Sequence, residues 1–119
     1  MHMAEHSCTT TMKQVRSYSG KLSKALPDVM KGFYSLSKAS SSPGVLDSKT
    51  KELMALAISV AIHCDDCIAF HTDSALKAGA SKEEILETLG VTIFMGGGPA
   101  LMYATHVMQA MEELQAATE

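Results

Sequence analysis

Two cysteines separated by two residues, Cys64 and Cys67, are the side chains of this sequence best suited to chemistry. At the start of a helix, sulfurs with this spacing lie on one face, close enough to bond with modest backbone adjustment. Unpaired backbone N–H groups and the positive end of the helix dipole stabilise a thiolate there, which makes the sulfur nucleophilic. Asp65 and Asp66 oppose the thiolate, although acidic residues also favour a helix N-terminus. The pattern favours redox or metal chemistry.

An imidazole and a carboxylate are spaced to come beside the sulfurs. His71 follows Cys67 by four residues, one helical turn, so it is placed to accept or return a thiol proton. Glu52 comes about ten residues before a turn expected near Ile62 or His63, and His71 about nine after it. If the two helices are antiparallel, both residues lie roughly 15 Å from the turn and therefore side by side on adjacent helices. We therefore expect Glu52 to hold the imidazole tautomer and to draw a proton away.

The elements that must position these residues are all predicted to be helices in a single domain, residues 1–119. Apolar residues make up 46% and charged residues 19% of the chain, which is enough apolar content to fold. No strand-like alternation and no internal repeat are present. The third helix is apolar on nearly every side after Glu52, so we expect it to be the buried central element. The prediction is an all-α bundle of about six helices with the Cys-x-x-Cys at the N-terminus of the fourth, over about 12–26, 27–40, 48–62, 66–78, 82–95 and 100–116.

Helix boundaries are predicted from capping residues and breakers. Pro27 fits the first turn of the second helix, and the segment 40–44 ends that helix. Gly79 fits a helix C-terminus, and the segment 81–84, Ser-Lys-Glu-Glu, is a capping box that opens the next helix. Gly96–Pro99 is interpreted as a tight turn between two helices. It is not interpreted as a phosphate loop, because no Lys-Ser or Lys-Thr follows it and no strand precedes it.

The first residues and the cysteine count indicate the compartment. Residues 1–11 are expected to form a loose tail, with Met1-His2 interpreted as a cloning remnant before a native Met3. Cys8 lies in this polar segment and is interpreted as a spare thiol. No basic segment leads into an apolar one here, and an odd count of three cysteines does not fit a secreted disulfide scaffold. We expect a cytoplasmic protein, in which a close cysteine pair serves redox or metal chemistry.

Charge and apolar patterning argue against nucleic-acid and membrane partners and favour association of the chain with copies of itself. The net charge is −3 and the basic residues are scattered, so no nucleic-acid binding is expected. The longest apolar run, residues 53–62, is half of the roughly 20 residues that a membrane-spanning helix needs, so no membrane span is expected. Met-rich apolar helices near the C-terminus predict association into a homo-oligomer.

The spacing of Glu52, Cys64, Cys67 and His71 resembles the active-site motif of the AhpD-like alkylhydroperoxidases, a group within the carboxymuconolactone decarboxylase superfamily. The resemblance extends over about 46–113, more than half of the chain. It implies an AhpD-like helical bundle that forms dimers, trimers or hexamers. It also implies reduction of a hydroperoxide substrate by the paired cysteines, with a dithiol/disulfide reductant as partner and no cofactor or metal.

The same resemblance implies roles for individual residues. Cys67 is the thiol that attacks the hydroperoxide, Cys64 is the resolving thiol, and Glu52 and His71 form a proton relay. The best-known members of the group carry a His immediately before the second cysteine, where this chain has Asp66. We therefore expect a shorter or weaker relay here.

Two alternative functions use parts of the same residue set. A dithiol-sensing or zinc-binding module would use Cys64, Cys67 and His71, but zinc sites usually take four ligands and no second ligand pair is evident. An enzyme of the carboxymuconolactone decarboxylase type, acting on a small acid, would need His71 and Glu52 without the thiols. The true lactone decarboxylases generally lack the cysteine pair, and this argues against that branch.

Two further histidines are interpreted as structural. His63, immediately before Cys64, is interpreted as a turn residue, with a role in the site as the alternative. His106 follows Tyr103 by three residues on the last helix and is interpreted as a core or interface histidine, with a place in the lining of the pocket as the alternative.

Overall fold

The computed structural model of the chain describes residues 7–118, and every regular element in that part is an α-helix. The all-α prediction is therefore confirmed. Residues 1–6 and 119 lie outside the described residues, and with them the interpretation of Met1-His2 as a cloning remnant. The helices in chain order are α1 (Cys8–Ala25), α2 (Pro27–Ser41), α3 (Ser48–Ala61), α4 (Asp65–Lys77) and α5 (Lys82–Thr118).

The structure has five continuous elements instead of about six, because the last two predicted helices are joined across a kink at the glycine-rich segment. The helices predicted over 82–95 and 100–116 form one element, α5, in which Gly97 alone has non-helical backbone, with φ 71° and ψ −154°. Essentially only glycine adopts this conformation. Pro99 follows in the first turn of the second half, where its missing N–H needs no partner. The helical backbone is therefore interrupted at Gly97, and α5 consists of two helices joined at a kink.

The start of α1 also differs from the prediction. The helix begins at Cys8, so the predicted loose tail is wrong for residues 8–11. Ser7 caps the helix, because its hydroxyl accepts a hydrogen bond from the backbone N–H of Thr10 at 3.1 Å. The carboxylate of Glu113, on α5, accepts from the backbone N–H of Cys8. A carboxylate at this end of a helix also interacts favourably with the helix dipole. α1 is thus held at its first turn by the last helix.

Capping residues set the other ends as predicted. The Asp47 carboxylate accepts from the backbone N–H of Thr50 at 2.8 Å and caps α3. The hydroxyl of Ser81 accepts from the Glu84 N–H at 3.0 Å, and the Glu84 carboxylate accepts from the Ser81 N–H at 2.9 Å. Gly79, just after α4, has φ 96°, a value that favours glycine. The capping box and the glycine terminus are both confirmed.

The core is shared by α3, α4 and α5. Its largest buried side chains are Leu56 and Val60 on α3, Ile68 on α4, and Ile85 and Val107 on α5. Each of these helices supplies apolar groups to one continuous cluster, so their relative positions are fixed by packing. The packing holds the α3–α4 turn, where the cysteines lie, in one geometry.

The prediction that α3 is the buried central element is wrong for one face of the helix. Met54, Ile58 and Ile62 recur at four-residue intervals, and they are 49%, 56% and 62% exposed. Residues four apart lie on the same side of a helix, so these three form one apolar stripe facing outward. The opposite face, which carries Leu56 and Val60, packs into the core.

A second exposed apolar surface lies on α5, where Phe94 is 83% and Met95 76% exposed. The part of this helix over 82–116 is long and apolar enough to cross a membrane by length and composition alone, and 22% of its most apolar window is buried within the chain. Length and composition do not separate such a helix from one covered by another protein surface. The absence of a membrane partner therefore stays a prediction.

Candidate active site

The turn between α3 and α4 places the first cysteine directly at a helix start. The backbone N–H of Cys64 donates to the Ser59 carbonyl at 3.0 Å, and that of His63 donates to the Val60 carbonyl at 3.2 Å. His63 has φ 61°, so the turn is a Schellman motif with His63 at the position that usually holds glycine. This motif ends α3 and leaves Cys64 as the N-cap of α4. The interpretation of His63 as a turn residue is confirmed.

Cys64 and Cys67 are joined by a disulfide, with their Cα atoms 5.2 Å apart. The Cys64 sulfur also accepts a hydrogen bond from the backbone N–H of Cys67 at 3.2 Å, in the manner of an N-cap side chain. Both residues are half-buried, and Asp65 and Asp66 beside them are exposed in the first turn of α4. The Cys-x-x-Cys therefore lies at the helix N-terminus, as predicted.

Glu52 on α3 and His71 on α4 are brought together. Nδ1 of His71 lies 2.9 Å from Oε2 of Glu52. The carboxylate side chain is 18% exposed and the imidazole 37% exposed, so the pair borders solvent. An ionised carboxylate only accepts hydrogen bonds, so Nδ1 carries the proton and Nε2 is left to exchange one. The structure thus brings these two side chains together, while their catalytic roles stay a prediction.

A second imidazole–carboxylate pair lies at the same turn and was missed by sequence reasoning. Nδ1 of His106, on α5, donates to Oδ1 of Asp65. The ring of Tyr103 stacks on His63, with centroids 4.6 Å apart and planes 10° apart, and lies 5.0 Å from the ring of His106. The interpretation of His106 as a core or interface histidine is therefore incomplete. The only signal in the sequence was the three-residue spacing of Tyr103 and His106 on one helix face.

The third cysteine is buried, which corrects its placement in a loose polar tail. Cys8 is 6% exposed, and its sulfur lies 3.8 Å from the Met12 sulfur and 3.7 Å from the Ala69 carbonyl oxygen. Burial, with smaller contributions from the Glu113 and Asp73 carboxylates, raises the pKa of the Cys8 thiol to about 11. The thiol therefore stays protonated at neutral pH and serves as a packing group.

Alkylation should separate Cys8 from the other two cysteines. At pH 8 a thiol with a pKa of about 11 is thiolate in about one molecule per thousand. In native, reduced protein we expect iodoacetamide to modify Cys64 and Cys67 and to leave Cys8 intact until the protein is unfolded. Its modification should rise about tenfold per pH unit toward pH 11. Peptide mass spectrometry reads the result, and modification of Cys8 as fast as Cys67 at pH 8 would contradict the burial.

No metal site is assembled in the part of the chain that the structure describes. No three His, Cys, Asp or Glu side chains there are grouped to hold a metal ion. The three ligands suggested for zinc, Cys64, Cys67 and His71, are used otherwise, because the sulfurs are bonded to each other and the imidazole to Glu52.

The described helices define an all-α protein with a disulfide at the start of α4 and an adjoining imidazole–carboxylate pair. The chain belongs to the carboxymuconolactone decarboxylase family, whose sequence profile matches residues 27–110. The resemblance deduced from the motif is thereby confirmed at the level of the superfamily.

Relatives match over most of their length. An uncharacterized protein of Cupriavidus necator is 38% identical over 107 residues, which cover 90% of this chain and 95% of that protein. The crystal structure of an apo carboxymuconolactone decarboxylase family protein from Legionella pneumophila has a TM-score of 0.87 at 45% identity, covering 89% of this chain and 95% of that one. A family member from Thermotoga maritima, for which a part in the antioxidative response has been suggested, has a TM-score of 0.70 at 40% identity, covering 74% and 91%.

Proposed function

We propose that the chain is a thiol-dependent peroxidase that reduces hydroperoxides through Cys64 and Cys67. One observation carries the proposal: the disulfide at the start of α4 lies one helical turn from His71, whose Nδ1 is bonded to Glu52 at 2.9 Å. A disulfide is the product that such a peroxidase leaves after turnover. The antioxidative role suggested for the Thermotoga maritima relative supports the same chemistry.

The position of His71 favours Cys67 as the attacking thiol. Along α4, His71 is four residues from Cys67 and seven from Cys64, which corresponds to a rise of about 6 Å and about 10 Å. A base one turn away is placed to take the thiol proton, whereas a base two turns away is not. Cys64, as N-cap, is left to attack the oxidised sulfur.

The proposed cycle consists of oxidation of Cys67, disulfide formation with Cys64 and reduction of the disulfide by a dithiol. His71 takes the proton of the Cys67 thiol, and the thiolate attacks the terminal oxygen of the hydroperoxide, which breaks the O–O bond. The alkoxide leaves with the proton from His71, and Cys67 becomes a sulfenic acid. The Cys64 sulfur then attacks the Cys67 sulfur and forms the S–S bond, and the hydroxide that departs leaves as water with the proton of the Cys64 thiol. A dithiol supplies two electrons and two protons to restore both thiols, and Glu52 stabilises the imidazolium throughout.

Hydroperoxide consumption tests the proposal directly. The wild-type chain, given cumene or tert-butyl hydroperoxide with dithiothreitol as the dithiol, should turn over many equivalents of peroxide per subunit. The double variant Cys64→Ser/Cys67→Ser keeps the size of both side chains but removes both sulfurs, so it should show only the background rate. A double variant as active as the wild type would end the proposal.

The family profile favours one second candidate. The chain matches the carboxymuconolactone decarboxylase profile over 27–110, and the Glu52–His71 pair needs no sulfur to move a proton. Under this alternative the chain decarboxylates or isomerises a small acid. The double Ser variant distinguishes the two candidate functions, because it would keep the activity on the small acid and lose the peroxidase activity.

We also propose that the chain acts as a homo-oligomer. The exposed apolar stripe on α3, Met54, Ile58 and Ile62, and the exposed Phe94 and Met95 on α5 are the surfaces that support this. Contiguous apolar surface of this kind is usually covered in soluble proteins.

Light scattering should therefore give a mass of two, three or six times 12.7 kDa. Phe94→Glu should shift the mass toward the monomer, because burying a Phe side chain contributes about 1.5–3 kcal/mol and burying a charge in its place is costly. Glu87→Gln, an exposed change on the same helix, is the matched control and should keep the oligomer. A wild-type chain that stays at 12.7 kDa at all concentrations would contradict the proposal.

A further inference from the structure

The mechanism leaves one cluster of polar side chains beside the disulfide without a role. It consists of His63 and Asp65, the residues on either side of Cys64, and of Tyr103 and His106 on α5. The Tyr103 ring stacks on His63 at 4.6 Å, and His106 Nδ1 donates to Asp65. Tyr103 and His106 are themselves in contact at 5.0 Å. Both chain neighbours of Cys64 are therefore held by one turn of α5.

We propose that His106 is a positioning residue for the Cys64–Cys67 redox pair and that it acts through Asp65. Asp65 is the first residue of α4, between the N-cap Cys64 and Cys67. A bond from Asp65 to α5 fixes the turn that carries both sulfurs. In the disulfide the S–S bond restrains the same turn, but in the dithiol this restraint is gone and the bond to His106 remains.

A turn already held in the dithiol loses less conformational entropy when the S–S bond closes. Pre-organisation of this kind raises the effective concentration of one reacting group toward the other. Ring closure here breaks two S–H bonds and forms one S–S bond, and it gives two electrons and two protons to an oxidant such as oxidised dithiothreitol. His106 therefore favours the disulfide side of this exchange.

The redox equilibrium measures this effect without any peroxide. The inference depends on the proposed function only in that the pair cycles between dithiol and disulfide, so a chain without peroxidase activity would still give a result. Wild type and variants are equilibrated at pH 7 in buffers of reduced and oxidised dithiothreitol, and the free thiols of Cys64 and Cys67 are counted after acid quenching. His106→Ala should shift the equilibrium toward the dithiol by about 3- to 5-fold, since the bond that is lost joins two half-exposed side chains and is screened by solvent.

Conservative changes separate positioning from charge. Asp65→Asn removes the charge but keeps an oxygen that accepts from His106 Nδ1, so it should stay within about 2-fold of the wild type. Asp65→Ala should shift the equilibrium as far as His106→Ala does, and the double variant should shift it no further. Thr105→Ala is the matched control, because Thr105 is an exposed neighbour of His106 on α5 whose hydroxyl donates to the Met102 carbonyl of the same helix.

Three results would overturn the inference. The first is an unchanged equilibrium in His106→Ala, and the second is a shift toward the disulfide. The third is an Asp65→Asn variant as far shifted as Asp65→Ala. Urea unfolding of the same proteins shows that each variant is folded under the conditions of the exchange. A residue that only supported the fold would lower the unfolding midpoint and leave the redox equilibrium where it was.

Discussion

Cys67→Ser should reduce hydroperoxide turnover by at least about 10³-fold, because a hydroxyl in place of the attacking thiolate removes the nucleophile itself. Steady-state consumption of cumene hydroperoxide with dithiothreitol measures the loss. Cys64→Ser should behave differently. It keeps the attacking sulfur, so one equivalent of peroxide per subunit should be consumed at near the wild-type rate, leaving a sulfenic acid that mass spectrometry detects after trapping.

Cys8→Ala is the control for this pair of variants. Cys8 is buried away from the disulfide with its thiol protonated, so its removal should leave turnover unchanged. The converse pattern, an active Cys67→Ser and an inactive Cys64→Ser, would exchange the roles of the two sulfurs. Full activity in both single variants would leave the disulfide without a part in catalysis.

Glu52→Gln should lower the rate of the chemical step by about 10²-fold, which is at the low end of what general acid–base groups supply. The amide keeps nearly the size of the carboxylate but loses the charge that stabilises the imidazolium of His71. His71→Gln should cost as much or more. The double variant should be no slower than His71→Gln alone, because the carboxylate acts only through the imidazole.

The rate of Cys67 alkylation in the reduced protein gives a second measurement of the same relay. It should fall in Glu52→Gln as the peroxidase rate falls, since both need the thiolate. Glu83→Gln, an exposed acidic residue in the first turn of α5, is the matched control for loss of one negative charge. A loss in Glu52→Gln of less than about 3-fold would remove the carboxylate from the proposed relay.

Much of the framework could be predicted from sequence because it depends on local rules. The turn after α3, the capping box at Ser81 and the glycine after α4 are each specified by a few consecutive residues. The meeting of Glu52 and His71 followed from helix rise alone, once two antiparallel helices were assumed. Geometry within one helical hairpin is readable from a sequence.

What could not be predicted depends on contacts between distant segments. Asp65 and His106 are 41 residues apart, and their meeting is set by how α5 crosses α4. The kink at Gly97 also depends on contacts between distant segments. Three glycines and a proline indicate a break, but only the packing of both halves of α5 on the core decides that a single residue leaves the helix. The exposure of one face of α3 could not be predicted for the same reason, since an apolar side chain does not indicate whether its own chain or another protein surface covers it.

The carboxylate of Glu113 on the amino end of α1 has a practical consequence for handling the protein. It brings the first and last helices together, and the Cys8 sulfur beside it lies 3.7 Å from the Ala69 carbonyl oxygen of α4. Ala69 is two residues from Cys67, roughly 200° around that helix. The first turn of α1 therefore lies behind the sulfur-bearing side of α4. Protein immobilised through an exposed residue of this turn, such as Thr9, would present its disulfide to the solution.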